Sequence, residues 1–143
     1  MKSIDDALAF AVMAHRGQKD LDGKPAIFHP IRVGLSDENE NEIITGFLHD
    51  VVEDTDYSFD DLKALGVGSK IIEALMLLTH SKENTYSEYI EKLLSSHNKL
   101  ALNVKRHDLV DNLSRNDRAT EQKRKIYEKH ERTLEKLRKE FIS

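Results

Sequence analysis

The sequence predicts an all-α fold in one compact domain spanning residues 1–143. Apolar residues recur at helical spacing in nearly every segment, and several segments open on a Ser or Thr followed three residues later by an acidic residue. No stretch alternates apolar and polar residues convincingly, and no internal repeat or low-complexity linker breaks the chain. The length of 143 residues suffices for one core and is too short to expect two domains.

Each element has its own signal. Ser3 with Asp6 forms an acidic variant of the capping box, and Ile4, Leu8, Ala11, Val12 and His15 follow at helical spacing. Gly17 to Pro25 is a polar loop with the turn dipeptide Asp22-Gly23, and Pro25 blocks an early restart of helix. A short helix is expected around Pro30 to Leu35. His29 stands at its start, since the residue before a proline is pushed out of the α region. The acidic stretch Asp37 to Glu42 leads into a central helix running to about Asp54, with Ile44, Phe47, Leu48 and Val51 as its apolar face. Ser58 with Asp61 starts a short helix that stops near Gly66 and Gly68, and Ser69 leads the apolar helix of Ile71, Ile72, Leu75, Met76 and Leu78. Thr85 with Glu88 caps a helix carrying Tyr86, Tyr89, Ile90 and Leu93. A break at Asn98 or Lys99 precedes a helix through Val104, Asp108, Asn112 and Leu113. The last helix carries Ile126, His130, Leu134, Leu137 and Phe141 on one stripe and charge elsewhere. The expected count is seven or eight helices.

Composition limits the function. Charged residues make up 34% and hydrophobic residues 38%, as expected of a small helical protein with a large solvated surface. There are no cysteines, so disulfides and thiolate metal sites are excluded, and any metal must be held by the 7 histidines and the carboxylates. No apolar run is long enough to span a bilayer, and the amino terminus lacks a basic region, apolar stretch and cleavage site, so the expectation is a cytoplasmic protein with no membrane partner. A formal net charge of −4 argues against sequence-independent nucleic-acid binding. It leaves room for an anionic small molecule, because the local charge of a pocket matters more than the total.

His49-Asp50, followed by Glu53-Asp54, is the most informative segment. On a helix, positions four apart share a face, so His49 is expected to stack with Glu53 and Asp50 with Asp54. Carboxylates crowded beside a histidine repel one another unless a cation or proton neutralises them. The group therefore suits a metal ion and an acid/base pair in one pocket. Imidazole together with carboxylate suits Mn²⁺, Fe²⁺ or Zn²⁺. The remaining ligands must come from other helices, and two places stand out: His29 in Phe28-His29-Pro30, and Asp108 in a segment too polar for a plain core helix, with Asn112 four residues on.

This set, His29, then His49-Asp50, then Asp108, resembles the HD superfamily of metal-dependent phosphohydrolases. More narrowly, His15 to Asn112 resembles the hydrolase domain of the RelA/SpoT group and the small free-standing alarmone hydrolases. The matching pieces are Ala14-His15-Arg16-Gly17-Gln18, Gly23-Lys24-Pro25, His29-Pro30, Leu48 to Thr55, and Asp108 with Asn112. The resemblance implies a helical HD-type domain with one divalent metal, Mn²⁺ in the alarmone hydrolases, held by His29, His49, Asp50 and Asp108. It implies hydrolysis of the 3′-pyrophosphate of guanosine tetra- or pentaphosphate. Glu53 and Asp54 would position and deprotonate the attacking water, and Asn112 would contact the nucleotide.

The chain departs from that group where the nucleotide is held. Lys19-Asp20-Leu21-Asp22 stands where a basic pair is usual, Ala26-Ile27 stands in place of Tyr-Ile, and the segment between His29 and His49 is shorter. Two alternatives are therefore carried: a 5′-nucleotidase-type HD hydrolase, and a non-catalytic metal- or nucleotide-binding regulatory module. Among the other polar residues, His15 is expected to pack at the end of the first helix, with a role in the pocket as the alternative. His80, His97, His107 and His130 are expected at the surface or in packing, and Tyr86 and Tyr89 in the core with wet hydroxyls. Lys105, Arg115 and Lys123 are read either as surface charges or as phosphate contacts.

Overall fold

Most of the expected caps form. In the structure, a computed structural model that describes residues 3–142 without the side chain of Ile142, Ser3 accepts a hydrogen bond from the Asp6 N–H and opens α1 (Ile4–Ala14). Asn39 caps α3 (Glu40–Leu48), and reciprocal capping boxes at Ser58/Asp61 and Thr85/Glu88 open α5 (Phe59–Ala64) and α7 (Tyr86–Ser95). α6 (Ser69–Leu78) starts after Gly68, α8 (Lys99–Arg115) is capped by Asn98, and α9 (Glu121–Ile142) closes the chain. Among the described residues there is no strand, and the loop after α1 is pinched by one isolated bridge between Lys19 and Pro25.

Two expectations are corrected. The central helix is not continuous: α3 ends at Leu48 and α4 (Val51–Asp54) is a separate turn, with His49 and Asp50 in the break. This division raises the count to nine helical segments among the described residues. Across the break the Asp54 N–H still bonds the Asp50 carbonyl at 2.9 Å. The second correction is at α2 (Phe28–Leu35), where His29 lies inside the first turn rather than ahead of it. Proline is tolerated in a first turn because its missing N–H has no helical partner there, and this outweighs the bias on the residue before it.

Two cores flank the site. Ala7, Ala11, Ile44, Phe47, Leu48, Leu62 and Leu75 join α1, α3, α5 and α6. Val33, Leu78, Leu93, Leu102, Leu109 and Leu137 join α2, α6, α7, α8 and α9. α2 crosses α3 glycine on glycine. A Cβ on Gly46 would sit 2.7 Å from the Gly34 Cα, and one on Gly34 would collide with the Phe47 ring. That close approach brings the start of α2 beside the end of α3, and α2 also packs on α8.

Candidate active site

His29, on the first turn of α2, meets α8 through both ring nitrogens. Its Nδ1 donates to Asp111 Oδ2 at 2.7 Å, and its Nε2 lies 2.7 Å from Asp108 Oδ1. Asp111 is held in turn by the Arg32 guanidinium at 2.7 and 3.0 Å. His49, 4% exposed, donates from Nδ1 to the Gly46 carbonyl at 2.6 Å. Its Nε2 is buried without a hydrogen-bond partner, 3.3 Å from Asp50 Oδ2 and 3.5 Å from Asp108 Oδ1. Both imidazoles thus commit Nδ1–H outward and present Nε2 inward. An outer partner of this kind fixes the tautomer of a metal-ligating histidine.

Ligand atoms of His29, His49 and Asp50 all lie within 4.8 Å of one another. Asp108 joins them through the oxygen beside the two Nε2 atoms, while its other oxygen accepts from Lys105 Nζ at 3.0 Å and Asn112 Nδ2 donates to Oδ1 at 3.0 Å. The donor set of two imidazoles and two carboxylates, with an orphaned Nε2 aimed into the space between them, fits a divalent cation.

The electrostatics agree. Burial works against a charge on His29, but hydrogen bonds to Asp108 and Asp111 outweigh it and push its pKa up to about 10. Burial likewise opposes protonation of His49, and the Asp50 and Asp108 carboxylates raise it nonetheless. Burial alone would raise Asp108, yet the Lys105 ammonium and the His29 hydrogen bond hold it well below the usual carboxylate range. The cluster demands a positive charge at its centre, which a proton or a metal ion can supply.

Glu53 and Asp54 take different places. Glu53 lines the same cavity of about 260 Å³ as His29, His49 and Asp50, with its Oε1 accepting the His80 N–H at 2.7 Å. Asp54 faces a neighbouring depression shared with Glu53 and Gln18. Burial, then the charges of Asp50 and Glu53, raise its pKa to about 6. Gln18 joins His15 Nδ1 (2.9 Å) to the Asp54 carbonyl (2.7 Å), so the first loop clamps the α4 turn. Asn112 lines both the main cavity and a second one of about 160 Å³, where Asp20, Leu21, Asp22, Arg115 and Lys123 are found.

Several residues differ from their expected places. Lys105 is buried beneath the cavity rather than on the surface, and His80 and His130 line the cavity rather than plain surface. Tyr89 is buried with its hydroxyl donating to the Leu78 carbonyl, and Tyr86 bonds Thr133; both also line the cavity. Sequence reasoning missed Asp111, Arg32 and the Gly34–Gly46 crossing. The signal for Asp111 was present: it falls one turn after Asp108 in the same over-polar helix.

No protein-family model matches the chain. It is 30% identical to a probable guanosine-3′,5′-bis(diphosphate) 3′-pyrophosphohydrolase of Mycoplasma pneumoniae, over 92% of this chain and 20% of that protein. It is 35% identical to a guanosine-3′,5′-bis(diphosphate) 3′-pyrophosphohydrolase of Danio rerio, over 54% of this chain and 47% of that protein. A probable 3′-pyrophosphohydrolase of Synechocystis is 46% identical over 41% of this chain and 8% of its own length. The chain therefore spans well under two thirds of these curated relatives. A solved structure, described as a metazoan orthologue of SpoT that hydrolyses ppGpp and plays a role in starvation responses, superposes with a TM-score of 0.76. It is 25% identical and covers 96% of this chain and 85% of that one.

Proposed function

We propose, from its all-α fold and its likeness to guanosine-3′,5′-bis(diphosphate) 3′-pyrophosphohydrolases, that the chain is an HD-type metal-dependent phosphohydrolase removing the 3′-pyrophosphate of guanosine tetra- or pentaphosphate. One observation carries this reading: two histidines with Nδ1 already committed turn Nε2 toward a space shared with Asp50 and Asp108. His29, His49, Asp50 and Asp108 would hold one cation, Mn²⁺ by likeness to the alarmone hydrolases, with Fe²⁺ and Zn²⁺ suited to the same donors. Bound there, the cation would supply a water of lowered pKa and offset charge on the phosphoryl oxygens.

The chain's own residues do the rest. Glu53, fixed by the His80 N–H at the edge of the cavity, orients the attacking water. Asp54, raised to about 6, shares the water's proton through its proximity to Glu53 and Asp50. Water oxygen bonds to the phosphorus nearest the ribose, the bond from phosphorus to O3′ breaks, O3′ takes a proton, and pyrophosphate leaves. Asn112, whose Nδ2 is tied to Asp108, spans the two cavities and meets the nucleotide between its diphosphate and its ribose.

A second reading has one observation in its favour. Asp20 and Asp22 line the cavity where a basic pair would hold the 5′-diphosphate, which favours a less charged nucleoside monophosphate. A Mn²⁺-dependent assay across a nucleotide panel tests both. Pyrophosphate from the alarmone supports the first reading, and orthophosphate from monophosphates supports the second. Nucleotide binding without release of either would make the protein a regulatory module and end both.

A further inference from the structure

The cavity has a second face, built by α7, α8 and α9, that the reaction described above does not use. Lys129 and His130 on α9 reach it beside Lys105 on α8 and Tyr86 on α7. The basic residues near the active site are mostly spent on carboxylates: Lys105 on Asp108, Arg32 on Asp111, Lys123 on Asp22 and Asp117. Lys129 differs. Among the described residues no carboxylate pairs with it, and its Nζ rests 4.5 Å from the centre of the Tyr86 ring. Burial and the nearby Lys105 charge both press its pKa down, so it sits where a cation is disfavoured until an anion arrives. Next to it, His130 Nδ1 is buried with no hydrogen-bond partner. A half-buried ammonium without a counter-ion and an orphaned ring nitrogen thus open on one cavity with the histidine–carboxylate cluster.

The charge of a diphosphate is distributed to match. Its inner phosphoryl group would lie at the histidine–carboxylate cluster, while its terminal phosphate lies one oxygen bridge further on and needs a cation of its own. Lys105 cannot serve alone, because Asp108 already neutralises it. We propose that Lys129 binds the terminal phosphate of the substrate's 3′-diphosphate, with the His130 ring beside it, and thereby fits this site to a pyrophosphoryl rather than a phosphoryl group. The proposal deepens the phosphohydrolase reading and rests on it.

Calorimetric titration of the Mn²⁺-loaded protein with inorganic pyrophosphate and, separately, orthophosphate tests this. Lys129→Met keeps the aliphatic stem over Tyr86 and removes the charge. It is expected to weaken pyrophosphate binding by about tenfold or more, the cost of one charge-assisted hydrogen bond, and to leave orthophosphate binding unchanged. Lys129→Arg should retain pyrophosphate affinity. Lys125→Met, removing an exposed lysine of the same helix that pairs with Glu121, should match the wild type for both anions. In turnover, Lys129→Met should raise KM with kcat largely kept. Lys129→Gln, which also removes the charge, gives the same readout should the methionine variant melt early. The proposal is overturned if either neutral variant binds pyrophosphate like the wild type, or loses both anions equally. Failure of the underlying reading looks different: the wild type would release no pyrophosphate from the alarmone while still binding inorganic pyrophosphate in a Lys129-dependent way.

Discussion

His49 and Asp108 are buried, and each has at least one polar atom locked by a partner outside the cluster: the Gly46 carbonyl for His49, Lys105 for Asp108. Glu53 and Asp54, both exposed, lie a few residues away on a single turn, held by one backbone N–H and one glutamine. The contrast fits the two tasks proposed for them. Ligands around a cation must stay within a few tenths of an ångström of their positions, so packing and outer hydrogen bonds fix them. A group that passes a proton must reach water and change its charge, so it stands at the edge of the cavity where both charge states are tolerated.

The sharpest way to break the comparison is among the proposed ligands, where Asp50 is half-buried. Asp50→Asn should strip the metal and the activity together, a loss exceeding the roughly 10⁴-fold upper range for a single acid/base group. Metal content by elemental analysis, measured beside turnover, checks it; full metal occupancy in the variant would contradict the assignment. Asp108→Asn should also destabilise the fold by about 3–5 kcal/mol, because it leaves the buried Lys105 without its counter-charge.

On the exposed side the effects should separate. Glu53→Gln and Asp54→Asn should keep the metal while lowering turnover, about 10²–10⁴-fold for whichever carboxylate takes the proton. A double variant hydrolysing its substrate at wild-type speed would end this division of labour. A smaller effect is expected behind the ligands: Asp111→Asn loosens His29 and should weaken metal affinity about 10–100-fold, read by chelator competition.

The smallest effects are those of pH. With Asp54 raised to about 6, the pair loses its base as the solution becomes more acidic, so the rate of the loaded protein should fall about tenfold per unit well below that value. Without metal, His29 carries the opposite dependence. Its pKa, raised from 6.5 to about 10, contributes stability that is full below 6.5 and is lost as pH rises through about 10. Thermal melts of the metal-free protein should decline across that window, and metal should flatten the decline by replacing the proton. Equal slopes with and without metal would show that the proton and the cation do not share one place.

Much of this was legible in the sequence wherever a few neighbouring residues decide the outcome. The Thr85/Glu88 box closes on itself within four residues, and the apolar spacing of α6 names most of its buried face, with Ile71, Ile72, Leu75 and Leu78 inside while Met76, read with them, is exposed. The polar excess of α8 marked Asp108 and Asn112 before any neighbour was known. Legibility failed where distant residues decide. Helical spacing ran on smoothly through His49 and Asp50, so the break there was invisible. Lys105 reads like any surface lysine until Asp108, Tyr89 and the α9 helix close around it.

By itself, then, the sequence determined most of the helices, much of their buried faces, the order of the motifs and the kinds of donor available, because capping and periodicity act over about one turn of chain. Only the tertiary structure decided that His29 meets an aspartate 79 positions away, that Asp111 and Arg32 steer its ring, and that Lys129 rests over the Tyr86 ring with no carboxylate paired to it among the described residues. The reason is geometric. Those contacts depend on how closely α2 and α3 cross at Gly34 and Gly46 and on how α8 and α9 pack beside them, and no local pattern encodes the distance between segments that meet only in space.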